Sequence, residues 1–139
     1  MAENKMTHAE LEKRMTVAPF HKWLGLKLLE IDENGIKVGV TWREEFVVNP
    51  TGRYTHGGIL ATVIDIAADY ALAAKLGRPI PTVDLRIDYH RAAMPGDLVV
   101  EARPVKIGGS FSTAEAYVYD GDGKLLASGR GVYYSAPPK

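Results

Sequence analysis

Twenty residues from Gly57 to Leu76, GGILATVIDIAADYALAAKL, constrain the fold of this chain more than any other stretch. The spacing predicts a helix that stops at Gly77-Arg78-Pro79, a glycine followed by a proline. Its apolar side chains fall on every side of the helical wheel and leave almost no polar stripe. A helix apolar nearly all round is expected to be buried all round. Two acids, Asp65 and Asp69, interrupt the run, and it is too short to span a bilayer comfortably.

The rest of the chain supplies the wrapping. Met6 to Met15 has helical composition with Thr7 as its cap, and a short helix from Pro19 to Trp23 follows. After Gly25 the period changes to two. Leu26 to Ile31 and Ile36 to Trp42 form a hairpin about Glu33-Asn34-Gly35. Glu44 to Tyr54 is a loop. Beyond the long helix, Thr82–Arg91, Asp97–Lys106, Phe111–Tyr119 and Lys124–Tyr134 read as strands at hairpin spacing, so the sheet is expected to be antiparallel. Ser135 to Lys139 reads as a loose tail. The layout is α+β, an antiparallel sheet curled round one central helix, in a single domain over residues 1–139 with its core at about 25–134.

Charge narrows the function. Seventeen Lys and Arg balance 17 Asp and Glu, so the basic excess that marks nucleic-acid or membrane-surface binding is missing. There is no cysteine, which excludes disulfides, thiolate metal sites and a cysteine nucleophile. The N-terminus, MAENKMTHAELEKRM, lacks the apolar core of a signal peptide, and a cytoplasmic location is expected.

The chemistry concentrates at the start of the long helix. The first N–H groups of a helix have no internal partner, and the helix dipole makes that end slightly positive. Gly57 and Gly58 let a ligand approach the backbone. Such an end can polarise a carbonyl and hold the oxyanion that forms on attack; equally, Thr55 could cap the helix and the glycines could serve packing alone. Asp65 lies eight residues after Gly57, about 12 Å along the axis at about 1.5 Å per residue. It cannot reach an atom bonded to its own Gly57 N–H. If the two act together, they come from two copies whose helices cross antiparallel about a two-fold axis. Asp69, one turn on, is the other candidate acid.

Asn49-Pro50, His56-Gly57-Gly58, Asp65 and the strand Thr82-Val83-Asp84-Leu85-Arg86-Ile87-Asp88-Tyr89 together resemble the hotdog-fold acyl-CoA thioesterases, with the phenylacetate-degradation type as the closest subgroup. The resemblance covers about Gly25 to Tyr134. It implies a sheet wrapped round a long helix, a homodimer often paired into a tetramer, and hydrolysis of an acyl-CoA to a free acid and coenzyme A without a metal or added cofactor. It implies that Asp65 is nucleophile or general base and that the Gly57 N–H polarises the thioester carbonyl. By the same resemblance His56 shapes that end, Asn49 positions water or substrate, and Thr82 orients the attacking water. Lys106, Gly108, Gly109 and Ser110 match the hairpin that contacts coenzyme A, with Lys106 or Arg91 meeting a phosphate. Two departures stand out. His56 follows Asn49 by seven positions where six are expected, and Thr82 shares strand parity with the charged side rather than with Val83 and Leu85.

Two other readings share this pocket: a dehydratase of hydroxyacyl thioesters, whose Pro-Gly-rich loop setting is missing here, and a non-catalytic acyl-CoA sensor. Ala61, Ala67, Ala68 and Ala71 either leave room for an aryl or medium-length acyl group or allow close helix packing. The row Asp84, Arg86, Asp88 and His90 is either solvated or joins dimers.

Overall fold

The computed structural model describes residues 2–139. Helix α1 (His8–Thr16) begins with a reciprocal cap: the Thr7 hydroxyl accepts from the Glu10 N–H at 3.2 Å, and the Glu10 carboxylate accepts from the Thr7 N–H at 3.1 Å. Leu11 and Met15, one turn apart, are its buried contacts. Helix α2 (Pro19–Leu24) opens on a proline and closes at Gly25, whose φ of 68° suits a residue without Cβ.

Six strands follow the expected boundaries to within about two residues: β1 (Leu26–Ile31), β2 (Ile36–Val40), β3 (Thr82–Tyr89), β4 (Leu98–Lys106), β5 (Phe111–Tyr119) and β6 (Leu125–Tyr134). They make one antiparallel sheet in the order β1-β2-β4-β5-β6-β3. Alternation sorts its faces. Val38, Val40, Val100, Ala114 and Val118 turn inward and are buried, while Lys37, Glu101, Arg103 and Glu115 turn outward into ion pairs.

The inner face holds the long helix α3 (Gly57–Leu76). The sheet meets it closely because small residues line the contact. A Cβ on Gly129 would lie 2.8 Å from Ile64 and 2.6 Å from the Arg86 carbonyl. Ala67, Ala68 and Ala71 are buried, so three of the four alanines serve packing, and Ala61 alone is partly exposed. This is the hotdog arrangement the sequence led us to expect.

Three details depart from the sequence-based expectation. First, α3 is not enclosed all round: Ala61, Thr62, Asp65 and Asp69 stay half-exposed on one face. Second, the tail is tied down. Ser135 is buried, and the Arg78 guanidinium donates to the carbonyls of Ser135 at 3.0 Å and Ala136 at 3.2 Å. Third, β3 carries a bulge between Thr82 and Asp84. Among the described residues, no helix is long and apolar enough to cross a membrane.

Candidate active site

The bulge decides where Thr82 points. Val83 is the extra residue, and it shifts the parity of everything before it by one. Thr82 therefore pairs with inward-facing Tyr133 and joins the side of Leu85 and Ile87. Its hydroxyl donates to Asp65 Oδ1 at 2.8 Å. The Tyr133 hydroxyl lies 3.0 Å from the same oxygen and 3.1 Å from the Asp65 carbonyl. Asp65 thus sits on the open face of α3 with one carboxylate oxygen held by two hydroxyls. Burial pushes the Tyr133 phenol well above its usual range, and the Asp65 charge adds to this, so the phenol stays a donor.

Asp69, one turn on, bonds differently. Its Oδ1 accepts from the Ile80 N–H at 3.0 Å and so ties α3 to the start of β3. Burial pushes its carboxyl up to about 7, assisted by the charge of Asp65 and opposed by the Ile80 bond. A carboxyl raised above its unfolded value near 3.9 binds its proton more tightly when folded. The stability it contributes is fully present below about pH 4 and is lost as pH rises through about 7. Asp69→Asn keeps an acceptor for Ile80 and removes that loss. We expect the fall in unfolding free energy between pH 5 and pH 8, read from urea titrations, to flatten by on the order of 1 kcal/mol, discounted for the open face. An unchanged slope in the variant would contradict this assignment.

The other candidate groups lie at the start of α3. His56, not Thr55, is the cap: its Nδ1 accepts from the Gly58 N–H at 2.8 Å. That fixes the neutral ring's proton on Nε2, on the exposed side chain. Thr55 is buried instead, with its hydroxyl unpartnered among the described residues. The Gly57 N–H likewise finds no acceptor among them, whereas its carbonyl accepts from the Tyr89 hydroxyl at 2.7 Å. The Tyr89 ring packs so close that a Cβ on Gly57 would meet it at 3.3 Å.

Asn49 is occupied within its own loop. Its Oδ1 accepts from the N–H groups of Thr51 and Gly52, both at 2.9 Å, and its amide donates to the Tyr54 hydroxyl at 3.2 Å. The chain brings it to neither Asp65 nor the Gly57 N–H. The same loop has a left-handed backbone at Arg53, φ 59°, where the Glu44 carboxylate accepts from the guanidinium at 2.8 Å.

Lys106, Gly109 and Ser110 are exposed on the β4–β5 hairpin. Gly108 is locked: its N–H donates to Ser112 Oγ at 3.1 Å, Ser112 Oγ donates to Ser135 Oγ at 2.8 Å, and Ser135 Oγ donates to the Gly108 carbonyl at 2.8 Å. This hairpin lies at the Thr82 end of the sheet, and Arg91 lies beyond the Tyr89 end. One chain does not bring them together. Clefts of about 290 and 390 Å³ open on the outer sheet face, and Asp65 lines neither.

Sequence reasoning missed Tyr133. The available signal was Gly129-x-Gly131-x-Tyr133, two residues without side chains and then a phenol on one inward face of β6.

The profile of the thioesterase superfamily matches residues 52–127, which span the His-Gly-Gly motif, α3 and most of the sheet. The chain belongs to the thioesterase superfamily. A solved structure from this superfamily is 50% identical, with a TM-score of 0.88 over 89% of this chain and 94% of that one. Zebra fish thioesterase superfamily member 2 is 25% identical, with a TM-score of 0.82 over 95% of this chain and 100% of that one. A protein of Salmonella typhimurium named a medium/long-chain acyl-CoA thioesterase is 24% identical over 131 residues, 83% of this chain and 84% of that protein. In this thioesterase-superfamily chain, then, the acid and the unpartnered helix-start amide belong to one fold but lie at two separate places on it.

Proposed function

We propose that this protein hydrolyses an aryl- or medium-chain acyl-CoA to the free acid and coenzyme A, on the phenylacetate-degradation-type plan. Asp65 acts as nucleophile or general base, and the Gly57 N–H polarises the thioester carbonyl. The observation that carries this is a division of labour along β3. Thr82 at its start holds Asp65, and Tyr89 at its end holds Gly57. The strand runs antiparallel to α3 and is an edge of the sheet.

Two copies pairing β3 to β3 about a two-fold axis set the Thr82 end of one strand against the Tyr89 end of the other. The same operation covers the open faces of the two α3 helices. Each acid then meets the other copy's amide, and two equal sites form. His56 adds its Nε2–H beside Gly57, while Asn49 and Thr82 position water or substrate. The hairpin at Lys106, Gly108, Gly109 and Ser110 and the side chain of Arg91 converge only across copies, where they meet the phosphates of coenzyme A. The outward row of Asp84, Arg86, Asp88 and His90 is available for joining dimers into a tetramer in the cytoplasm. The chemistry calls for no metal or cofactor.

Thiol release from a panel of aryl and straight-chain acyl-CoAs tests the reading. Turnover is expected with at least one aryl or medium-chain member. Tight binding of acyl-CoA with no thiol released from any of them would replace the enzyme with a sensor.

A further inference from the structure

The geometry points to Tyr133 as a positioning residue that decides which oxygen of Asp65 is free to react. This rests on the reading of Asp65 as the reactive acid. The hydroxyls of Thr82 and Tyr133 converge on one atom, Oδ1, at 2.8 and 3.0 Å. Oδ2 accepts no bond from any described residue of the chain. A carboxylate with one oxygen doubly donated has its rotation about the Cβ–Cγ bond fixed. Its second oxygen then projects toward the open face of α3, where the proposed substrate arrives. A water-borne donor could not hold that orientation so firmly, because Tyr133 is fully buried and its ring cannot swing.

The fold is built to admit this phenol. Gly131 precedes Tyr133 on the same inward face of β6, and a Cβ built on Gly131 would overlap the Tyr133 hydroxyl. Any side chain at 131 therefore pushes the donor off Asp65. Tyr133 serves no other acceptor than Asp65, through its carboxylate and its carbonyl. The titratable groups of the chain that face Asp65 are Tyr133 from β6 and Asp69 from α3; β3 presents Thr82, which does not titrate. Asp69 is engaged by the Ile80 N–H, so Tyr133 is the one titratable neighbour that donates to Asp65. Tyr133 thus aims Asp65.

The test compares kcat and KM for thiol release by wild type, Tyr133→Phe, Gly131→Ala and Asp65→Asn. Removing a hydrogen bond to a charged group costs about tenfold or somewhat more. For Tyr133→Phe we expect kcat to fall about tenfold with KM within about threefold. A purely structural role for the ring would not lower kcat while leaving KM in place. Gly131→Ala keeps the phenol but displaces it, and the same fall in kcat at nearly unchanged KM is expected; it carries the test if Tyr133→Phe does not fold. Wild-type kcat in the folded variants, with Asp65→Asn inactive, would overturn the role of Tyr133 and leave Asp65 in place. Full activity in Asp65→Asn would remove the underlying reading, and this one with it.

Discussion

Asp65→Asn is expected to lower kcat for thiol release by about 10²-fold or more, the scale for loss of a general base. The substitution is nearly isosteric. The amide oxygen of Asn still accepts from Thr82 and Tyr133, so the helix face and the start of β3 remain as they are. What disappears is the ability to take a proton from water or to attack the carbonyl. KM is therefore expected to change little, because the loss falls on the transition state rather than on substrate binding. The measurement is a steady-state comparison on the best acyl-CoA of the panel, with thermal melts confirming equal folding. Activity within a few-fold of wild type would transfer the role to Asp69 or return the protein to the sensor reading.

Gly57→Pro removes one N–H from the start of α3, and the expected cost is about 10² to 10³ in kcat, the size of losing one oxyanion donor. Proline is suited to this position. Gly57 is the first residue of the helix, where a missing N–H breaks no internal bond. His56 already has φ −57° and ψ 132°, the extended geometry that a residue before proline prefers. The Tyr89 ring, 3.3 Å from the new Cβ, has to give by a few tenths of an ångström.

The two defects also test whether a site is shared. In a dimer of one Asp65→Asn chain and one Gly57→Pro chain, one site carries both lesions and the other carries neither. Equal amounts of the two chains, unfolded together and refolded, make such mixed dimers half the population. With one good site in two, about a quarter of wild-type activity should return. No recovery beyond the sum of the separate variants, with mixed dimers shown to form, would mean that each chain holds a complete site.

The sequence made the long helix plain because nothing else explains twenty residues without a polar stripe. Thr7, a residue type that favours helix starts, announced the first cap, while its reciprocal bond with Glu10 came only from the structure. What stayed hidden was of three kinds. Counting in twos along Thr82–Tyr89 put Thr82 on the charged side, since a bulge at Val83 leaves no mark in composition. The cap at the start of α3 looked like threonine, the commoner cap, but the ring of His56 took that place and Thr55 was buried. The position of β3 beside β6, at the edge of the sheet, depends on a crossover that order along the chain does not disclose. That edge position is what leaves β3 open to the pairing proposed above. Tyr133 escaped notice because an inward tyrosine on a strand looks like any core aromatic until its hydroxyl is seen to have a purpose.

The serine pair behind the β4–β5 hairpin has a consequence for kinetics. Ser112 and Ser135 engage both backbone groups of Gly108, so that turn is rigid before any ligand arrives. Its ordering entropy is lost once, during folding, instead of at each encounter. Lys106, Gly109 and Ser110 are thus presented by a preorganised scaffold. Under the proposed contact with coenzyme A, capture at this hairpin is expected to depend on ionic strength through the lysine charge, while remaining insensitive to changes in loop flexibility.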